Sequence, residues 1–416
     1  MSTTGAGVGA GQESVLAFYR PFLPLFGTIF FCLLSVGASL ATLPFWVTDR
    51  IGGGNLAVGF VVATIAVAAI VARPIAGRLA DRRGYKPILR AGTLACAAAG
   101  ALYVSALHVA AVLPIRLLHG IGEAAVYTAG AAWLVAICPP ARRGRVVGLY
   151  GTAMWLGITL GALVGELLRT GVGFPAVWAF CLLMPLVGLA LAASTPPPAQ
   201  AGGAARPVLV PRGAVVPGIA LSLASLGYGA LAAFVALHLQ DKGIAGGIAA
   251  FNAYGITYVG VRLLLGNWPD RFGPRRVAFW SGLVEAVGLL LVAMAPALWV
   301  AVVGGLIMGA GLSLLFPSLA LIVINQTPLS QQGGAIGTFT SFWDLGVALG
   351  GPIGGVVVGL SGYPSIFYVM VAAALASAAL GALPIRAPTA EPPAVSPADI
   401  EAAEEAAEEA AEEAAT

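Results

Sequence analysis

From Pro21 to Arg386 one predominantly apolar stretch follows another, each about 20 residues long and enough to cross a ~30 Å hydrocarbon layer as a helix. Such a chain has little choice of fold. Charged residues make up 9% of its 416 positions, against roughly a quarter in ordinary globular proteins. Mean hydropathy is +0.93. A soluble core of this length would need far more charge to cover its surface. The class is an all-α polytopic membrane protein. Residues 1–20 are small and polar with Arg20 as the lone basic residue, so no secretory signal is expected ahead of the first span. The net charge of +3 conceals a partition: nine of the eighteen acids lie in the last 26 residues, leaving a basic membrane body. That suits loops facing anionic lipid and carries no nucleic-acid signal. Cys32, Cys96, Cys138 and Cys181 stand singly, without metal or redox spacing, and read as small packing residues.

Charged, Pro and Gly clusters divide the chain into twelve expected helices, at 24–48, 55–77, 87–107, 110–136, 146–168, 172–194, 214–239, 246–266, 276–296, 298–325, 334–360 and 364–386. The organisation that follows is a cytoplasmic segment 1–20, a six-helix bundle 21–194, a Pro/Gly-rich cytoplasmic linker 195–213, a second bundle 214–386 and an acidic cytoplasmic tail 387–416. With the N-terminus cytoplasmic, fifteen of the 21 basic residues fall inside and only Arg50, Arg169 and Lys242 outside, which places both termini in the cytoplasm. Arg73, Arg116 and Arg262 remain within helices. The tail pattern EAAEEAAEEAAEEAAT pairs helix-favouring alanine with self-repelling glutamates and reads as solvated.

The chain repeats itself at an offset of 189 residues. GRLADRRGYK at 77–86 aligns with GNWPDRFGPR at 266–275, without a gap. The same offset pairs Arg73 with Arg262, Asp81 with Asp270 and Arg82 with Arg271. It continues through Gly120 and Gly122 to Gly309 and Gly311, and from Gly148, Gly157, Gly161 and Gly165 to Gly337, Gly346, Gly350 and Gly354. Glycine matches are cheap in a chain with 56 glycines, but charged matches in the same register are not. Two parallel, pseudo-symmetric six-helix halves are the direct reading.

Three motifs stand on this frame. The first is Gly77-Arg-Leu-Ala-Asp81-Arg82-Arg-Gly84-Tyr-Lys86 after the second helix, echoed by Asp270, Arg271 and Gly273. Its glycines allow a tight turn and close helix approach, and Asp81 could cap a following segment or pair across the cleft between halves. The second is Arg116-Leu-Leu-His119-Gly120-Ile-Gly122-Glu123 in the fourth helix. An arginine inside the membrane is costly unless it faces a cavity or a partner. Seven residues bring Arg116 and Glu123 to nearly the same helix face, about 10 Å apart along the axis, too far to pair directly. The third is the glycine ladder Gly148, Gly157, Gly161 and Gly165 of the fifth helix with Gly346, Gly350 and Gly354 of the eleventh, spaced for backbone-to-backbone packing.

Over about residues 20–386 the chain resembles a twelve-helix transporter of the major facilitator superfamily, and within it the drug:proton antiporters. The resemblance implies that the cluster Gly77, Asp81, Arg82, Gly84 and Lys86, with Asp270, Arg271 and Gly273, is a conformational latch stabilising the outward-open state. Tyr85 stands where a basic residue is usual. It also implies proton coupling at Arg116, and His119 stands where glutamine is usual. The fifth-helix ladder resembles the antiporter signature, although Ala162 replaces its proline, Glu166 its last glycine, and Pro352 is displaced by one position in the second copy. The family's cavity is lined mainly by helices one, four, seven and ten. Here they offer Thr42, Phe45, Trp46, His119, Tyr127, Tyr228, Phe234, His238 and Phe316. Such walls suit an aromatic or amphipathic solute, a cationic one included.

Arg116, Glu123 and Asp344 are the expected proton-coupling residues, since burial brings carboxylates towards proton exchange near neutrality. Each has a plainer reading: Arg116 and Glu123 as buried ion pairs with neighbouring helices, His119 and the aromatics as packing, Asp344 as a partner of Arg73. Glu285 is expected to pair with Arg262. The leading function is proton-coupled efflux of drug-like or amphipathic metabolite molecules by alternating access. The alternative is a proton-coupled or facilitative uptake permease, and a non-transporting sensor on the same fold comes third. No catalytic pair, metal cluster or phosphate loop is present, so neither an enzyme nor an ATP-driven pump is expected, and no cofactor or metal. The expected setting is the cell (inner) membrane, with a small molecule and protons as partners and the monomer as the working unit.

Overall fold

A computed structural model describes residues 18–139, 142–195, 212–327 and 332–384. The acidic tail and the linker, except Thr195, Arg212 and Gly213, lie outside the described residues, as does almost all of the N-terminal segment. Twelve long helices appear, and among the described residues no strand: α1 (Leu23–Phe45), α2 (Asn55–Arg83), α3 (Tyr85–Leu102), α4 (Val109–Ile137), α5 (Arg143–Gly171), α6 (Phe174–Ser194), α7 (Arg212–Asp241), α8 (Ile248–Leu265), α9 (Pro274–Met294), α10 (Leu298–Asn325), α11 (Gln332–Ser361) and α12 (Tyr363–Ala382). All twelve are long and apolar enough to span a bilayer. Large apolar side chains point outward freely, with Trp299 at 70% and Leu264 at 79% exposure, which water would penalise and lipid does not.

The expected turn at 77–86 is mostly helix. α2 continues through Asp81 to Arg83 and stops only at Gly84, whose φ of 90° breaks the helix while its N–H bonds Ala80 O at 2.9 Å. Arg82 and Arg83 sit in that last turn, where cations suit the helix dipole. Asp81 caps nothing: α3 begins at Gly84 without a side-chain cap, and Asp81 is exposed. In the second copy α8 ends at Leu265, and a separate one-turn helix Trp268–Phe272 carries Pro269 in its first turn, where the first copy has Ala80. Proline lacks the N–H a continuing helix would require.

Glycines set the packing inside each half. Gly157, Gly161 and Gly165 of α5 lie against the backbone of α1 at Phe30, Leu34 and Ala38. Gly346 and Gly350 of α11 meet α7 at Ser222 and Leu226, and Gly354 faces the Phe234 ring. Gly148 departs from the packing expectation: open space surrounds it, and it forms part of a cavity wall. Lys86 does not reach the other half. Its Nζ donates to Ala193 O at 2.9 Å and Thr195 O at 2.6 Å, binding the C-terminal end of α6. Lys242 does the same for α9, at Ala293 O and Ala295 O.

The halves meet along two seams, α2 with α11 and α5 with α8. At the end of the molecule where α2 starts, Gly59 and Gly351 touch main chain to main chain, Gly355 abuts Leu56, and Tyr363 Oη donates to Asn55 Oδ1 at 2.8 Å. This far face is closed. The opposite face, carrying the basic turns around Gly84 and Gly273, is open.

Candidate functional site

Between the halves lies a cavity of about 700 Å³. Its walls include α2, α5, α8 and α11 as well as α1, α4, α7 and α10, and Arg143 and Asp270 stand towards the basic face. Three charged residues meet in its wall. Arg73 of α2 lies with Nη2 3.3 Å from Glu123 Oε1 of α4 and 3.4 Å from Asp344 Oδ1 of α11. Its Nε approaches Asp344 Oδ2 at 3.0 Å, an ion-pair contact without the alignment of a hydrogen bond. The guanidinium lies over the Tyr127 ring, 4.7 Å from its centre. One arginine therefore joins a carboxylate of its own half to a carboxylate of the other. With both acids ionised the group carries one net negative charge, and a single proton makes it neutral. In a membrane interior that difference is worth several kcal/mol of solvation, by the order of magnitude for buried charges.

Arg116 stands apart from this group. It is fully buried and off the cavity wall, with Nε donating to Val61 O at 3.1 Å and Nη1 to Ser39 Oγ at 3.2 Å. No acidic partner reaches it among the described residues, so neither an ion pair nor a cavity-facing position holds; it ties α4 to α1 and α2. Glu123 draws its partner from α2 instead. His119 is likewise buried, 3.3 Å from both Ser35 Oγ and Tyr103 Oη.

Of the nine expected cavity residues, Tyr127, Tyr228 and Phe316 line the space. The other six do not, and most lie too near the closed face. Thr42 bonds Ala38 O, Trp46 donates to Ala106 O and packs on Phe174 and Trp178, and Phe45 lies beneath Arg169. Phe234 is fully buried and His238 bonds Val292 O beside Phe367.

In their place stands an aromatic group of which sequence reasoning named only Tyr228 as a cavity residue. Trp155 of α5 reaches across to the second half, with ring centres 4.3 Å from Tyr258, 5.4 Å from Tyr228 and 5.8 Å from Trp343. The signal was the 189-residue offset, which sets Trp155 opposite Asp344. Arg262 also lines the cavity. Its Nη1 donates to Ser313 O at 3.1 Å, and its guanidinium lies 5.6 Å from the Phe316 ring centre. Glu285 is not its partner: that carboxyl is fully buried, and neither oxygen has a hydrogen-bond donor among the described residues. No cluster suited to a metal ion occurs among the described residues.

The comparisons agree with this architecture. The crystal structure of the nucleoside transporter NupG matches 87% of this chain and 98% of its own at a TM-score of 0.72 and 15% identity. That of the human organic anion transporter MFSD10 matches 87% and 99% at 0.62 and 21%. The MFS-type transporter YhhS of Escherichia coli K12 is 34% identical over 357 residues, 83% of this chain and 87% of the relative. An MFS-type transporter of Burkholderia mallei is 31% identical over 390 residues, 91% and 96%. The superfamily profile matches residues 25–245 and 217–410. With twelve spans in two repeated halves around a central cavity, the chain belongs to the Major Facilitator Superfamily.

Proposed function

We propose that this transporter is a proton-coupled exporter of amphipathic, aromatic small molecules. The observation that carries the reading is the ion-pair group Arg73–Glu123–Asp344, which borders the cavity and spans both halves. The basic face is taken as cytoplasmic, from the distribution of Lys and Arg, which makes the cavity inward-open in the bacterial inner membrane. Asp81, exposed in this state, belongs to a latch that engages when that face closes.

Arg73 holds α2 to α11 while both acids are ionised. A proton on Asp344 or Glu123 removes one of its two charged partners, and a substrate wedged among Trp155, Tyr228 and Trp343 pushes on the same helices. Either event loosens the tether, so the carrier turns over loaded with one or the other. Glu123 is the coupling acid, with Arg73 rather than Arg116 setting its charge, and Asp344 is the inter-half gate.

The test uses everted vesicles from an exporter-deficient host, energised to acidify their lumen. They should accumulate an amphipathic aromatic dye, lose it on adding a protonophore, and fail to accumulate it with Glu123→Gln. Accumulation in right-side-out vesicles alone would assign uptake.

A further inference from the structure

We infer that Arg262 is an anion-binding subsite, and that the substrate carries an acidic group about one helical turn from an aromatic ring. The inference rests on the cavity being the transport site, and it holds for export or uptake alike.

The two halves supply the argument. Arg73 and Arg262 occupy equivalent positions of the repeat, and each lies against an equivalent ring, Tyr127 or Phe316. Arg73 is neutralised by Glu123 and Asp344. At the positions equivalent to those acids the repeat has Leu312 and Trp155. Its counter-charges have been replaced by an aliphatic chain and an indole. No described carboxylate lies within ion-pair distance of it: Asp270, the one acid on the cavity wall besides Glu123 and Asp344, makes no such contact, nor does Glu285. A guanidinium has five N–H donors. One goes to Ser313 O, and none of the nitrogens is among the buried atoms lacking a partner, so the remainder open on the cavity. A cation held in a largely apolar cavity within the membrane calls for a counter-ion, and since no described carboxylate provides one, the cavity's contents are the natural source.

The surroundings narrow the chemistry. Tyr258 precedes Arg262 by one turn of α8 and packs on Trp155 at 4.3 Å. Residues four apart on a helix are neighbours, about 6 Å from each other. A ring held by Trp155, Tyr258 and Trp343 thus leaves a carboxylate, sulfonate or phosphonate within reach of the guanidinium, which binds such groups through paired hydrogen bonds. Because α8 runs towards the open face, the acidic end lies nearer the mouth and the ring deeper.

The experiment measures equilibrium binding to the full chain in nanodiscs at fixed pH, using 2-naphthylacetate, its amide and 2-naphthylethylamine. The carboxylate should bind at least tenfold more tightly than the amide. Arg262→Gln should remove most of that margin, and Arg262→Lys should restore part of it. Leu312→Glu, which returns the counter-ion present in the first half, should remove it too, whereas Leu312→Gln should not. An amide or amine binding as tightly as the carboxylate to the unaltered protein overturns the proposal, whatever the variants do. So does an Arg262→Gln protein that is folded and loses both ligands in parallel. Proton coupling is read separately, from uphill flux with Glu123→Gln, so its failure leaves this binding result standing.

Discussion

Arg73 and Arg262 began as the same residue of a repeated unit and now sit in opposite circumstances. The first lies between two carboxylates, one of them from the other half of the molecule; the second has a ring, one carbonyl and open space. Substitutions at two further repeat positions account for the difference, Glu123 against Leu312 and Trp155 against Asp344. Duplication supplies matching positions in a shared cavity, and divergence turns one into a charge-balanced tether and the other into an uncommitted cation. The asymmetry of the site therefore resides in the neighbours of the arginines.

The contrast can be broken in graded ways. The largest effect is expected from Arg73→Gln, which leaves two carboxylates close together without their cation. Breaking such a group costs about 3–5 kcal/mol if both acids stay charged, so uphill transport in proteoliposomes should fall at least a hundredfold. Near-normal flux would mean that the pair is not the coupling element. Asp344→Asn removes only the contact across the halves and should reduce uphill flux by about tenfold. Spin labels at Leu56 and Leu360 should then report a larger share of molecules with the far face parted; an unchanged distance distribution argues against a tether. Gly59→Val places a side chain where main chains touch, and the same label pair should show the far face forced apart, with a lower melting temperature. Retention of the closed distance would show that the seam can absorb the extra volume. The smallest effect is expected from His119→Met, which installs the residue found at the equivalent position, Met308. Losing its contacts to Ser35 and Tyr103 should cost about 1 kcal/mol in unfolding measurements, with transport within twofold, since His119 does not line the cavity.

Much of the fold could be read in advance, because apolar length and basic turns both register directly in sequence. The repeat was equally legible, carried by Arg73, Asp81 and Arg82 and their counterparts. Asp344 was found through its depth in the membrane, and Arg73 as its partner. The aromatic wall was harder. Thr42, Phe45, Trp46, Phe234 and His238 are on cavity-forming helices, but the cavity tapers before reaching them, and its depth depends on which face is closed. Trp155 was missed because a tryptophan in a membrane helix has many ordinary reasons to be there. Its significance comes from the rings that α7, α8 and α11 bring to it. Arg116 shows the opposite error: burial was inferred correctly, yet Nε and Nη1 go to a carbonyl and a hydroxyl, which leave no trace in residue charge, and Nη2 is buried with no hydrogen-bond partner among the described residues.

The seam at Gly59 and Gly351 bears on how the molecule can cycle. Where two helices meet through interlocked side chains, parting them frees rotamers that must be found again on closure, and each long side chain restricted costs up to about 2 kcal/mol of entropy. Peptide groups facing each other across glycines have no rotamers to lose. Such a contact can open and re-form in one register, so at Gly59 and Gly351 the seam has little conformational memory to slow its return, and what must be found again is the Tyr363–Asn55 hydrogen bond beside it.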